Sequence, residues 1–349
     1  MAYISFQPND HFNTKLYSGT GSSNALTGVG FQPDWVWIKC RTDGQNHALY
    51  DAVRGVQKKI SSSSSAAEAT ATTELSAFGS DGFTVLTDGQ VNASGQTYAS
   101  WNWKLGTTSG ITTNGSTTIT PVAYSFNATT GMSAIKCTGT GAAGLFPHGL
   151  GVAPKIVISK RLNDTNSWFV QTDLISSWTA SNYLVLNTTA AVGSNTGIIN
   201  ATDATNVSLA GADDWVNKSG DSYIHYCFAE KKGFSKFGTY TGNGNVSGPM
   251  IYTGFSPAAV FAKKHSGTGD WILWDNKRGG YNETIKRVYP NDPAVEESSV
   301  NQGVDFLSNG FKLRGTSSNA WNSGNDKYIY LAFAAEPLVA SNGTPATAR

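Results

Sequence analysis

The chain has 349 residues, enough for two or three ordinary cores, and 39% of them are hydrophobic. Only 14% are charged, against about 25% in an average soluble domain, so the polar surface must come from Ser, Thr, Asn, Gln and the 38 glycines. A net charge of +1 with scattered Lys and Arg excludes a nucleic-acid interface built on clustered basic residues, and no apolar run approaches the roughly 18 residues of a membrane span.

This palette belongs to turn-rich β-structure. At the N-terminus, Met1-Ala-Tyr-Ile-Ser-Phe-Gln has neither the basic segment nor the apolar core of a signal peptide. Cys40, Cys137 and Cys227 are odd in number and form no C-x-x-C, so a disulfide framework is not expected. They read as isolated, half-buried thiols of a protein made in a reducing compartment. The pairs Lys58-Lys59 and Lys263-Lys264 read as solvated strand ends or loops.

An internal repeat comes next. Gly30-Phe31-Gln32-Pro33 returns as Gly151-Val152-Ala153-Pro154 and as Gly254-Phe255-Ser256-Pro257. Six residues after each proline stands a lysine: Lys39, Lys160, Lys263. Between them lie apolar stretches, which predict strands entered by a proline. Upstream of each marker sits a small-residue turn containing Gly19, Gly139 or Gly242. These glycines precede the marker glycine by 11, 12 and 12 residues.

In the first stretch Trp35 and Trp37 face one way and Val36 and Ile38 the other. A strand apolar on both faces lies inside a stack. The copies should therefore pack on one another. Tyr50-Asp51-Ala-Val-Arg54-Gly55 matches Trp274-Asp275-Asn-Lys-Arg278-Gly279. Copy two has Trp168-Phe169-Val170-Gln171 there and no Asp/Arg pair. Ser61–Ala71 reads as a surface loop with one helical turn at most.

Each copy closes on a Ser-Gly turn (Ser94-Gly95, Ser219-Gly220, Ser323-Gly324) and a period-two strand. One face of those strands carries Ala99/Trp101/Trp103, Ile224/Tyr226/Phe228 and Ile329/Leu331/Phe333. The other face is smaller or more polar, which predicts half-buried antiparallel strands. Thr/Gly/Ser-rich 106–121 reads as a linker and 338–349 as an extended tail. The boundaries are thus 1–105, 122–230 and 231–337. Phenylalanine spacing (Phe6, Phe126, Phe228) suggests that copies two and three share a strand or run on directly, with copy one as a free unit.

Chemistry-bearing patterns are sparse. The five histidines show no metal-ligand spacing. His225 reads as a satisfied structural histidine. There is no G-x-S-x-G. Asp51 and Asp275 invite comparison with paired glycosidase acids, but an Asp each time three residues before an Arg (Arg54, Arg278) reads as a pair pinning a turn. Asp213-Asp214…Asp221 lacks the calcium-loop pattern. Gly19-Thr-Gly21 opens no β-α unit and is no dinucleotide loop. No metal, cofactor or catalytic residue is therefore expected.

Two tryptophans stand out in polar surroundings, Trp215 and Trp321, each before a closing turn. With Asn217 and Asn322 they form the candidate ligand contacts: indole stacked on a sugar ring, amides supplying hydrogen bonds.

The runs GVGFQPDWVWIK, LYDAVRG, SDGFTV, VNASGQTYASWNWK, GFSKFGTYTGNG, DFLSNGFKLRG and KYIYLAFAAEP resemble repeats in virion proteins of marine tailed bacteriophages, described as tail-fibre or lectin-like. The resemblance covers nearly the whole chain. It implies a virion protein, made in the host cytoplasm, that contacts other virion proteins and forms a homo-oligomer, a trimer by family expectation.

The expected fold is all-β: three divergent antiparallel β-sandwich-like repeats packed into one body. The expected function is a virion surface protein, tail fibre or receptor-binding component, attaching to host surface glycan. The alternatives are a structural capsid-decoration or adaptor protein without host ligand and, third, a polysaccharide-degrading enzyme.

Overall fold

The computed structural model describes residues 6–211, 213–300, 302–315 and 321–337. The expected tail lies outside them, as does Asn319-Ala320 before Trp321. Regular structure is almost wholly antiparallel strand; one four-residue α-helix and two three-residue 3-10 turns are the helical elements among the described residues.

Each third of the chain builds one larger and one smaller sheet. In the first third, strands Phe12–Ser18, Thr97–Trp103, Trp35–Cys40 and Ala48–Asp51 lie side by side in that order. In the last third the order is Ser235–Thr241, Lys327–Pro337, Phe255–Lys264, Trp271–Asp275. The middle third has Met132–Thr138, Ser222–Phe228, Ile156–Arg161, Phe169–Thr172, extended at both ends into a seven-stranded sheet. Registers correspond: Trp35 pairs with Trp103, Ile156 with Phe228, Ala259 with Phe333. A three-stranded sheet accompanies each large one.

Both faces of the large sheets are buried. One face meets its own small sheet: Val36 and Ile38 with Phe83 and Val85, Val157 with Val207, Val260 with Phe311. The other faces converge on one cluster drawn from all three thirds, including Trp35, Trp37, Trp101, Trp103, Ile158, Tyr226, Phe228, Phe261 and Phe333. Alternation along each strand thus feeds two cores at once. The closing strands are not half-buried as expected: Tyr98, Tyr223 and Tyr328, on their second face, are covered too. Aromatic contacts cross between thirds, such as Trp35 on Tyr226 (centroids 4.7 Å) and Phe12 on Phe333 (5.3 Å).

Three seams join the thirds, and each uses the same positions. Trp37 Nε1 donates to His47 Nδ1 (2.8 Å), so His47 Nε2 carries the proton and donates to the Tyr289 carbonyl at 2.9 Å. At the matching positions Trp168 Nε1 donates to the Ser61 carbonyl (2.7 Å) and Trp271 Nε1 to the Val185 carbonyl (2.9 Å). Four residues on from those acceptors, Pro293, Ser65 and Thr189 accept from Lys39, Lys160 and Lys263 Nζ at 3.0, 3.1 and 3.1 Å. Three residues further on, backbone amides of Glu296, Glu68 and Val192 donate to the Arg41, Leu162 and His265 carbonyls. First third bonds to last, last to middle, middle to first: a closed ring.

This arrangement corrects several expectations. Lys263 is buried, not solvated, as are Lys39 and Lys160. Ser61–Ala71 is seam structure; Ser62 is buried and its hydroxyl donates to the Pro290 carbonyl at 2.7 Å. No strand is shared between the middle and last thirds: Phe228 ends one sheet and Ser235 begins another. The first third is not free, since it makes two of the seams. The expected linker is docked: Thr118 and Ile119 donate their amides to the Leu145 carbonyl, strapping the edge of the middle small sheet. The cysteines are fully buried and unpaired with one another.

Candidate functional site

The candidate contacts chosen from sequence do not form a surface. Trp321 is 1% exposed, packed edge-on against Trp274 (5.8 Å), with the Arg287 guanidinium 5.3 Å from its ring. Its carbonyl accepts from Tyr240 Oη, as the Val91 carbonyl accepts from Tyr17 Oη. Trp321 therefore stands at a core position. Trp215 lies two residues before Asn217, where Trp321 lies only one before Asn322. That single step turns it outward, half-buried, stacked at 4.4 Å on Phe169.

Asn217 and Asn322 are buried tethers. Asn217 Oδ1 accepts from the Thr140 amide (2.9 Å) and its Nδ2 donates to the Ala142 carbonyl (2.7 Å). Asn322 does the same with the Asn243 amide (3.0 Å) and the Asn245 carbonyl (2.9 Å). Asn92 holds the first small-residue turn likewise, through the Thr20 amide at 3.0 Å. A Cβ at Gly19, Gly139 or Gly242 would overlap the carbonyl oxygen of Ala93, Lys218 or Ser323. That close approach fixes the glycines by which the repeat was found. The last closing turn is shifted by one: Gly95 and Gly220 take φ near +80°, and Asn325, not Gly324, takes the left-handed position (φ +67°).

Asp51 and Asp275 are buried beside their arginines. Asp51 Oδ1 accepts the Arg54 amide (2.8 Å) and Oδ2 accepts Arg54 Nε (2.5 Å); Asp275 holds the Arg278 amide (2.8 Å) and Nε (2.5 Å) identically. Each also receives a donor across a seam: Tyr226 Oη to Asp51 (2.6 Å) and Trp101 Nε1 to Asp275 (3.1 Å). They are turn pins and seam latches enclosed by protein. His225 is buried, stacked on Phe146 (4.5 Å) and hydrogen-bonded to Ser159 (2.8 Å); burial pushes its imidazole down to about 3.

A solvent-facing site lies elsewhere, on the last third. The outward row of each small sheet runs across three strands: Ala25–Thr84–Ala77, Leu145–Ser208–Ala201 and Met250–Lys312–Asp305. Only the last carries charges. At its end opens a cavity of about 540 Å³ lined by Val246, Ser247, Asn282, Glu283, Val300, Asp305, Arg314 and Gly315. Arg314 Nε donates to Asp305 Oδ2 at 2.5 Å. Tyr281, next to the lining Asn282, is 83% exposed.

An insertion builds this wall. Six residues separate Arg54 from Ile60, whose backbone pairs with Leu49; ten separate Arg278 from Val288, which pairs with Leu273. The extra length runs along the edge strand Val304–Leu307. Thr284 and Val304 exchange backbone bonds, and the Asn282 amide brackets Phe306, donating to its carbonyl (2.8 Å) and accepting from its N–H (2.9 Å). Glu283 between them lies over Gly303, where any Cβ would collide with Oε1. Oε1 is buried and has no hydrogen-bond donor among the described residues. Burial, and then Asp305, raise the Glu283 pKa, with Arg314 opposing. The sequence reading missed this site; its only signal was the insertion between the Asp/Arg turn and the next strand.

Among the described residues no group of three or more His, Cys, Asp and Glu could hold a metal ion, and no helix is long and apolar enough to cross a membrane. No curated protein and no solved structure matches the chain. One family model, described as a domain of unknown function (DUF7483), matches residues 7–337, and so spans all three seams. With nearly its whole length inside that match, the chain belongs to the DUF7483 family.

Proposed function

We propose that the chain is three divergent copies of one antiparallel β-sandwich unit, closed into a ring, and that it is a bacteriophage virion surface protein, a tail fibre or receptor-binding component, attaching to host surface glycan through the last copy. The recurring sheet order and the seams built from matching positions support the threefold reading. One observation carries the binding reading: a single small sheet out of three has charges on its outward face and a cavity at its end. Seam residues serve the ring, whereas among the described residues no seam bond uses a side chain that lines this cavity. Polar groups beside an exposed aromatic ring suit a hydroxylated ring ligand.

Binding is favoured over hydrolysis because Asp305 is engaged by Arg314. Two carboxylates that cleave a glycosidic bond flank it, and here one of the two is already held by an arginine. The ring also bears on oligomeric state: the apolar strand faces are covered within one chain, so the homotrimer that the family resemblance implies would have to use other surfaces.

The test is a glycan array probed with the full chain and with Tyr281→Ala and Val300→Ala variants, alongside antibody labelling of phage particles. Array binding that both variants lose without a change in Tm, with label at the tail tip, supports the proposal. No glycan bound, with label spread over the capsid, leaves the structural decoration reading instead.

A further inference from the structure

We propose that the cavity on the last third selects its glycan by charge, taking a sugar ring that bears a free amino group and rejecting a uronate. This rests on the glycan-binding reading and narrows its ligand class.

Three charged side chains line the cavity: Glu283, Asp305 and Arg314. Arg314 faces Asp305 with both Nε and Nη2. The cation is thereby turned to its own partner, and a ligand carboxylate would have to displace Asp305 to reach it. Lys312 stands beside Asp305 on the neighbouring strand but outside the cavity lining. Glu283 is the group left over. Its Oε1 is buried against Gly303 and has no donor among the described residues, which costs free energy and leaves the rest of the carboxylate facing the cavity.

An ammonium on a bound sugar would bring the opposite charge to the part of this carboxylate that lines the cavity, and charge-assisted bonds are about twice as strong as neutral ones. It would also relieve the desolvation and the Asp305 repulsion that hold the Glu283 pKa up. A uronate brings a second anion to the same wall. Val246 and Val300 leave apolar surface for the ring, and exposed Tyr281 is the chain neighbour of the lining Asn282. Gly303 is the enabling residue, because a side chain there would push the Glu283 carboxylate off its seat.

The test is calorimetric titration of the full chain at pH 6.5 with a glucosamine trimer, its N-acetylated counterpart and a galacturonate trimer. The proposal expects the free amine to bind at least tenfold tighter than the N-acetylated sugar, and the uronate to bind weakest. Glu283→Gln should erase the amine preference while keeping N-acetyl binding and Tm. Gly303→Ala should weaken the preference by moving the carboxylate without removing it. Uronate binding as tight as the amine, or a preference that survives Glu283→Gln, overturns the charge selection and leaves the glycan reading standing. If none of the three sugars binds and the array is also blank, both fall together.

Discussion

The Tyr226 hydroxyl donates to Asp51 at 2.6 Å across the seam between the middle and first thirds. Trp101 does the same to Asp275 at 3.1 Å between the first and last. At the third seam the matching residues are Leu331 and Thr172. Donor, acceptor and arginine are all absent there. A buried acceptor without its donor costs more than an apolar pair of similar shape. The absence of the Asp/Arg element from the middle third agrees with this: the residue facing it across the seam has nothing to donate.

Removing one side of a latch should therefore hurt more than its hydrogen bond is worth. Asp51→Ala takes from buried Arg54 its fully buried counter-ion and leaves only Glu68, at 3.2 Å, and about 3 kcal/mol of stability should go. Tyr226→Phe should cost about 1.5–3 kcal/mol, the range for a bond to a charged group. Urea unfolding measures both. The double variant should lose less than the sum, because Tyr226 has no acceptor once Asp51 is gone. Additive losses would mean that the two residues do not act as one latch.

The seam lysines set a pH dependence. Burial pushes Lys39, Lys160 and Lys263 each down to about 8 from 10.5. Between those values the unfolded chain holds more protons than the folded one, so stability rises with pH from about 8 toward 10. The limit is about 1.4 kcal/mol per pH unit for each lysine. From about pH 9 Cys137 and Cys227 oppose the rise, because burial holds their thiols up when folded while they ionise in the unfolded chain, and toward 10 tyrosines reverse it, because buried Tyr17, Tyr226 and Tyr240 are held well above 10 when folded. Chemical unfolding at pH 7.5, 8.0 and 8.5 should show the rise, and Lys160→Met should lower its slope by about a third. A flat profile in the parent chain would show that the folded lysines keep their ordinary affinity for protons.

Turn glycines of two kinds should behave differently. Gly139→Ala forces a Cβ into the Lys218 carbonyl and should cost about 1–3 kcal/mol or more. Gly95→Ala meets nothing within 4 Å but sits at φ +80°, and should cost about 1–2 kcal/mol. Thermal unfolding ranks them. The order would reverse if backbone conformation, not close approach, fixed Gly139.

The two tryptophans singled out by sequence should separate. Trp321→Ala removes a buried core side chain and should cost about 3–5 kcal/mol. Trp215→Ala should cost clearly less, since its outer edge already meets solvent. Neither should change glycan affinity in protein that remains folded. A specific loss of binding in Trp215→Ala would return that residue to the ligand site.

Much of the molecule is written locally. Period-two alternation and Pro-entered strands specify an antiparallel all-β chain, because side-chain direction along a strand depends only on position parity. The two apolar faces of Trp35–Ile38 further require a covered sheet. The Asp/Arg turn is legible because its partners stand three residues apart. Sequence spacing alone did not reveal which strands share a sheet, nor that Lys39, Lys160 and Lys263 enter neighbouring thirds. Lys39 and its acceptor Pro293 are 254 residues apart, and a lysine after an apolar strand looks the same whether it meets solvent or a buried carbonyl. Trp321 and Trp215 looked alike for the same reason, and a one-residue offset from the asparagine tether decides which of them enters the core. The cavity is a tertiary product throughout: an insertion of ordinary composition becomes a site only because it lies along Val304–Leu307 and sets Glu283 beside Asp305 with one carboxylate oxygen unanswered.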